Sequence, residues 1–99
     1  MAAYIVSRVR IHNLNAMQRY MNEAPATVSA FGGRYLVRGS DVRALEGEWE
    51  HERMVVVEFP DKDSARAWYE SELYRPLRAL RQGSAEAVIL LADGVANPA

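Results

Sequence analysis

The chain contains no cysteine, almost no net charge and no long apolar run. Without cysteine it can form no disulfide, thiolate metal site or cysteine nucleophile. Its 12 basic and 13 acidic residues give a net charge of −1, which lacks the basic excess typical of nucleic-acid-binding domains. No stretch approaches the ~20 apolar residues of a membrane span, and residues 1–8 lack the basic start and apolar core of a signal peptide. We therefore expect a cytoplasmic protein that binds neither nucleic acid nor membranes.

The composition is that of one ordinary globular domain. The 99 residues are 49% hydrophobic and 25% charged, and a second core would have too little chain to form. No internal repeat, low-complexity tract or linker is visible. We predict a single domain over 1–99, with an ordered core over about 4–94 and a tail over 95–99.

Hydrophobic periodicity predicts alternating strands and helices. Asn13 and Asp61 are suited to cap helix starts, and Gly32-Gly33 is suited to end the first helix. Pro25 lies inside that first helix and is expected to kink it. Residues 39–52 read as a loop with at most a short strand at 42–45. The predicted strands cover 4–11, 34–38, 54–59 and 85–92, and the predicted helices cover 14–31, 61–69 and 73–81, the last of which is expected to stop at Gly83.

The order β-α-β-β-α-β, with one extra helix before the last strand, predicts a ferredoxin-like α+β fold: an antiparallel sheet with helices on one face. The uncovered face would carry mainly apolar side chains, and wetting them would forfeit several kcal/mol at ~25 cal/mol per Å². We therefore expect a homodimer, in which a second copy covers this face. The residues expected on this uncovered face are Tyr4, Val6, Leu36, Met54, Val56 and, from the last strand, either Val88 and Leu90 or Ala87, Ile89 and Leu91.

Several unusual residues recur in a fixed order from the first helix end onward. These motifs are Gly32-Gly33, Arg38-Gly39, Leu45-Glu46-Gly47-Glu48-Trp49, Glu58-Phe59-Pro60, Ala67-Trp68-Tyr69 and Tyr74. Together they resemble the family called domain of unknown function 1330, over about 4–94. The resemblance implies a dimeric α+β barrel, an architecture shared with cofactor-free monooxygenases of antibiotic biosynthesis, muconolactone isomerases and haem-binding chlorite dismutases. Such a fold does not define one reaction.

Glu58 is the first candidate for chemistry, because alternation places this carboxylate on the face that would line the barrel. Arg34, Leu36 and Arg38 are expected to share one face of their strand, so Arg38 could pair with Glu58; Arg8 is a second candidate partner. The pair could be a structural ion pair. Alternatively, Glu58 could act as a general base and Arg38 could bind an anionic ligand.

Further ligand-binding candidates surround the expected cleft. Glu46, Trp49 and Arg53 flank the loop over one barrel end, where Trp49 is either a lid that stacks on a flat ligand or a plug against the sister subunit. The Tyr69 hydroxyl could reach the cavity, and Tyr4 is an amphipathic wall candidate.

His12 and His51 are the two histidines, and their spacing does not suit metal or haem ligation. We expect no metal site and no cofactor. The leading hypothesis is a homodimer that binds a small, partly apolar or anionic molecule in its barrel cleft. Such a protein could also be a cofactor-independent enzyme, an isomerase or a monooxygenase-like one. The alternative is a non-catalytic structural or accessory dimer with a filled barrel.

Overall fold

The computed structural model describes residues 1–39, 41–50 and 53–95. Over these residues the chain forms four strands and three helices in the predicted order. The elements are β1 (Ala3–Ile11), α1 (Leu14–Ala30), β2 (Arg34–Gly39), β3 (Arg53–Phe59), α2 (Lys62–Glu70), α3 (Arg75–Ser84) and β4 (Ala85–Asp93).

The strands form one antiparallel sheet in the order β2-β3-β1-β4. The helices cover one face, called here the helix-side face, where Ile5, Val57 and Phe59 are buried against Val28 and Trp68. The predicted ferredoxin-like α+β fold is confirmed.

Local signals explain the helix boundaries. The Asn13 side chain accepts a hydrogen bond from Ala16 N at 3.1 Å, and Asp61 accepts one from Ser64 N at 2.7 Å. Both caps are as predicted. The helix α1 continues through Pro25 to Ala30. The helix α3 extends past the predicted stop at Gly83 and ends at Ser84, directly before β4.

Gly33 allows α1 to return closely over the sheet. A Cβ atom at this position would lie 2.7 Å from both Phe59 Cε1 and Val28 Cγ1. Both side chains are fully buried, so they have little room to move. The tight approach therefore requires glycine.

A β-bulge in β2 changes which side chains share a face. Tyr35 pairs with Val57 in β3, but the next partner, Val56, faces Val37. The extra residue is Leu36. The expectation that Arg34 and Arg38 lie on one face is therefore wrong, because one added residue reverses the alternation beyond it.

The face opposite the helices, called here the open face, has no helix over it in the described part of the chain. The register places Val6 beside Val56 and Leu90. Of the two sets considered for the last strand, Val88 and Leu90 lie here, with 43% and 56% of their surface exposed. Ile89 and Leu91 instead pack against the core.

The segment 41–50 belongs to the connection between β2 and β3. The described residues at 42–45 form no strand, and Leu45 is 97% exposed. None of the described helices is long and apolar enough to cross a bilayer. His51 and positions 96–99 of the expected tail lie outside the described residues.

Candidate functional site

A cavity of about 50 Å³ lies between the helix-side face of the sheet and the helices. This exceeds the ~10–15 Å³ that a single water needs. Most of its wall is apolar, with Met17, Val28 and Trp68 among its members. The polar part of the wall is cationic and phenolic. It consists of Ser7, Tyr20, Tyr35, Tyr74, Arg38, Arg53 and Arg81.

Arg81 is the buried charge of this cavity. Only 4% of its surface is exposed, and its Nε donates a long, 3.4 Å hydrogen bond to the Tyr74 hydroxyl. Its Nη2 is buried and finds no hydrogen-bond partner in the described chain. A guanidinium stays protonated in proteins, and an unpaired buried charge costs several kcal/mol. The Arg81 side chain therefore lacks an acceptor that an anion would provide.

Two tyrosines extend the donor system of Arg81. The hydroxyls of Tyr20 and Tyr74 lie 2.6 Å apart. Burial, followed by the neighbouring Tyr74, raises the pKa of the Tyr20 hydroxyl well above its usual range. Each neutral hydroxyl has one proton. One hydroxyl of the pair donates its proton to the other, so the second hydroxyl keeps one O–H that can donate to a further acceptor.

Arg38 lies at the β2–β3 side of the cavity, where the bulge has turned it toward the helices while leaving it exposed to solvent. Its guanidinium lies 5.0 Å from the centre of the Tyr35 ring, and its Nη2 donates to the backbone carbonyl of Met21. That carbonyl would normally bond the N–H of residue 25, which is proline and has none. Pro25 thus leaves an acceptor in α1 that Arg38 occupies.

Arg53 provides a second cation beside Arg38. Arg38 pairs with Val55, and Arg53 lies two residues along β3 on the same face, which makes the arginines diagonal neighbours. Such neighbours lie ~7–8 Å apart. No carboxylate of the described chain is within salt-bridge distance of Arg38, Arg53 or Arg81. None of the cavity-lining residues is aspartate or glutamate.

Glu58 lies on the open face and does not meet Arg38. Its Oε1 accepts from Arg34 Nε at 2.8 Å, and its Oε2 accepts from the Tyr4 hydroxyl at 3.0 Å. The bond from Arg34, and then that from Tyr4, lowers the pKa of this carboxyl below its usual range. The expected pairing of Glu58 with Arg38 is wrong because the bulge separates them. The geometry is that of an ion pair across neighbouring strands.

The remaining candidates are spread over the molecule. Glu46 is exposed, and Trp49 is half-buried, with its Nε1 buried and without a partner in the described ranges. Tyr69 packs edge-on against Trp68, with ring centres 6.2 Å apart. It lines a separate depression that includes Leu91. Of the seven candidates, Arg38 and Arg53 are the two that line the cavity.

Sequence reasoning missed Arg81 and Tyr20. The available signal was helical spacing, since Tyr74, Leu77 and Arg81 are three and four residues apart and share one face of α3. An arginine in line with a buried leucine indicates a buried cation. Among the described residues, no group of three or more His, Cys, Asp or Glu side chains could hold a metal ion.

The order of the strands in the sheet and the placement of the helices on one face define a ferredoxin-like α+β protein. The chain belongs to the family described as domain of unknown function 1330 (DUF1330), whose sequence profile matches residues 2–95. No curated protein is similar enough in sequence to count as a match.

Solved structures share the fold at low sequence identity. A protein of unknown function from Rhodopseudomonas palustris is 15% identical, with 97% of this chain and 84% of that chain covered and a TM-score of 0.77. SnoaB, a cofactor-independent oxygenase from Streptomyces nogalater, is 12% identical, with 98% and 96% covered and a TM-score of 0.68. A dimeric ferredoxin-like protein of unknown function from Jannaschia sp. CCS1 is 15% identical, with 95% and 100% covered and a TM-score of 0.67.

Proposed function

We propose that this protein is a cytoplasmic homodimer of single-domain subunits that binds a small, partly apolar carboxylate. The ligand occupies the cavity between sheet and helices of each subunit. The observation that carries the proposal is the buried, unpartnered Nη2 of Arg81. The sequence-based hypothesis placed the ligand between two sheets; the geometry favours a cavity within the subunit.

The chemistry of the wall selects the ligand class. An arginine offers paired, coplanar N–H donors that match the two oxygens of a carboxylate. The remaining O–H of Tyr20 and Tyr74 adds a neutral donor to the same anion. The apolar wall suits a hydrocarbon body, so the ligand is an organic acid rather than a bare inorganic anion.

The open face supports the homodimer. Leu90, Val88 and Val37 each leave more than two-fifths of their surface exposed on it. Covering several such side chains gains several kcal/mol at ~25 cal/mol per Å². A second copy brings an identical apolar surface and a two-fold interface. The fold neighbour from Jannaschia sp. CCS1 is described as dimeric, which supports the same arrangement.

A cofactor-independent enzyme is the second candidate, and the fold neighbour SnoaB, a cofactor-independent oxygenase, favours it. The donors around Arg81 would stabilise negative charge that develops on a ligand oxygen. Glu58 would be a weak base because its pKa is lowered, and it lies on the opposite face. In such an enzyme the cavity would stabilise the developing charge, and the bound ligand itself would supply the reactive group. Turnover of a bound acid by purified protein without additives is the test.

Binding of acids, rather than of any apolar molecule, is the central test. Purified protein is titrated with acetate, butyrate, hexanoate and benzoate, and with the matching neutral amides, while the melting temperature is measured. We expect the acids to raise it and the amides to leave it unchanged. Equal effects of acids and amides would contradict the proposal.

Substitution at Arg81 identifies the site. The variant Arg81→Met should lose the response to acids, whereas Arg19→Met, which removes an exposed arginine of α1, should retain it. Without ligand, the first variant should unfold at a similar or higher temperature, because an apolar replacement removes an uncompensated buried charge. If instead Arg81→Met retains full acid binding, the cavity is a filled core and the non-catalytic structural dimer is the better description.

A further inference from the structure

We infer that the ligand has two acidic groups and is a short dicarboxylate. One carboxylate would bind Arg81 inside the cavity, and the other would bind Arg38 and Arg53 at its β2–β3 side. This inference rests on the proposed function, because it specifies the ligand of the same cavity.

The first argument is the charge of the wall. Three guanidiniums line the cavity, and no carboxylate of the described chain forms a salt bridge with any of them. A monocarboxylate at Arg81 would leave Arg38 and Arg53 without a counter-ion. Like charges on neighbouring strands are mutually destabilising, so an anion between these two side chains offsets their repulsion.

The second argument is that the position of Arg38 is built into the fold. The bulge between Tyr35 and Val37 turns this side chain toward the helices. The Tyr35 ring then supports its guanidinium at 5.0 Å, and the Met21 carbonyl accepts one of its N–H groups. That carbonyl is available because Pro25 contributes no N–H to α1. Three independent features thus keep a cation at the cavity, where solvation alone would draw it outward.

The third argument is the separation of the two cationic groups. Arg81 is on α3 and is bonded to Tyr74, whereas Arg38 and Arg53 are on β2 and β3. Apolar side chains such as Val28, Val55 and Val57 line the space that they share. A carbon chain between two carboxylates matches this order of charged, apolar and charged surface.

The test compares acids that differ by one charge. Calorimetric titrations use succinate, glutarate and adipate, each beside its monomethyl ester, at low ionic strength. We expect at least one diacid to bind about tenfold more tightly than its monoester, since a single charge-assisted hydrogen bond contributes ~1.5–3 kcal/mol. Added salt should reduce this preference.

Variants test whether the preference for the diacid arises from the arginines at the β2–β3 side of the cavity. Arg53→Met removes one of the two cations at the β2–β3 side and should reduce the preference for the diacid over its monoester, and Arg53→Gln should do the same if the first variant folds poorly. Arg81→Met should lose both ligands. Equal binding of diacid and monoester by the unsubstituted protein, still dependent on Arg81, would overturn the dicarboxylate and leave the proposed function standing. Failure of every acid to bind would overturn both.

Discussion

Arg38 donates a hydrogen bond to the main-chain carbonyl of Met21, an acceptor that α1 leaves available four residues before its internal proline. The bond links the second strand to the first helix. Pro25 leaves the Met21 oxygen without its helical hydrogen bond, and Arg38 supplies one in its place. The contributions of these two residues to stability should therefore be coupled.

A double-mutant cycle measures this coupling. Arg38→Met should lower the free energy of unfolding by about 0.5–1.5 kcal/mol, the usual net value of a hydrogen bond. In a Pro25→Ala background the alanine N–H can bond Met21 instead, and the cost of Arg38→Met should largely disappear. Denaturant unfolding of the four proteins checks this. Arg19→Met is the control and should cost the same in both backgrounds; equal costs for Arg38→Met would refute the link.

The Arg34–Glu58–Tyr4 group should make stability depend on pH. Its hydrogen bonds lower the pKa of Glu58 in the folded state. Stability from this group is therefore fully present above the unfolded pKa of about 4.3, and it is lost as pH falls through the lower folded value. Glu58→Gln should flatten the acid side of a plot of melting temperature against pH. Glu70→Gln, an exposed glutamate of α2, should leave the slope intact. If the melting temperature of Glu58→Gln still fell with pH as steeply as that of the unsubstituted protein, the Arg34–Glu58–Tyr4 group would be excluded as the cause.

A charge on the open face should separate the proposed dimer. Leu90→Glu would place a carboxylate in the apolar interface, where an unpaired charge is costly. Sedimentation at micromolar concentration should show dimers of the unsubstituted protein and monomers of this variant. Leu73→Glu is a matched control, because Leu73 and Leu90 are 53% and 56% exposed but Leu73 lies between α2 and α3. If Leu90→Glu and Leu73→Glu sedimented with the same molecular mass, the result would count against this interface.

Gly33 should tolerate no side chain. In Gly33→Ala the new methyl group would lie 2.7 Å from Phe59 and Val28 atoms, so the core must shift, at a cost of about 1–3 kcal/mol. Gly83→Ala is the opposite case, with no atom within 4 Å of the added group. It replaces a helical glycine and should stabilise by about 0.5–1 kcal/mol. Thermal unfolding should show a lower melting temperature for Gly33→Ala and a higher one for Gly83→Ala. A stabilised Gly33→Ala would refute the packing argument.

Periodicity and capping residues predicted the elements well, because these signals are local. Asn13 and Asp61 each reach an N–H three residues on, and the alternation in β3 gives the correct faces for Val57 and Glu58. The order of elements was then enough for the ferredoxin-like fold. Gly83 was misleading as a stop signal, because α3 continues one residue further before β4 begins.

The candidate site was predictable only in part. Arg38 and Arg53 were among the predicted ligand-binding residues and do line the cavity, but the partner expected for Arg38 depended on unbroken alternation in β2. The run from Arg34 to Arg38 does not reveal the extra residue, since unbroken alternation, with Tyr35 and Val37 on one face, is itself an acceptable strand pattern. Arg81 escaped notice because its burial depends on how α3 packs beside α1, a tertiary relationship that helical spacing suggests without fixing.

The bulge makes the direction of the Arg38 guanidinium depend on how β2 pairs with β3 rather than on residue type alone. If the same residues paired with β3 without the bulge, unbroken alternation would turn Arg38 outward, onto the face of Glu58, whereas a homologue that lacks the extra residue would keep the arginine on the helix side. A deletion at Leu36 would therefore leave this cation beside the cavity, whereas straightening the strand at unchanged length would remove it, with no substitution in either case.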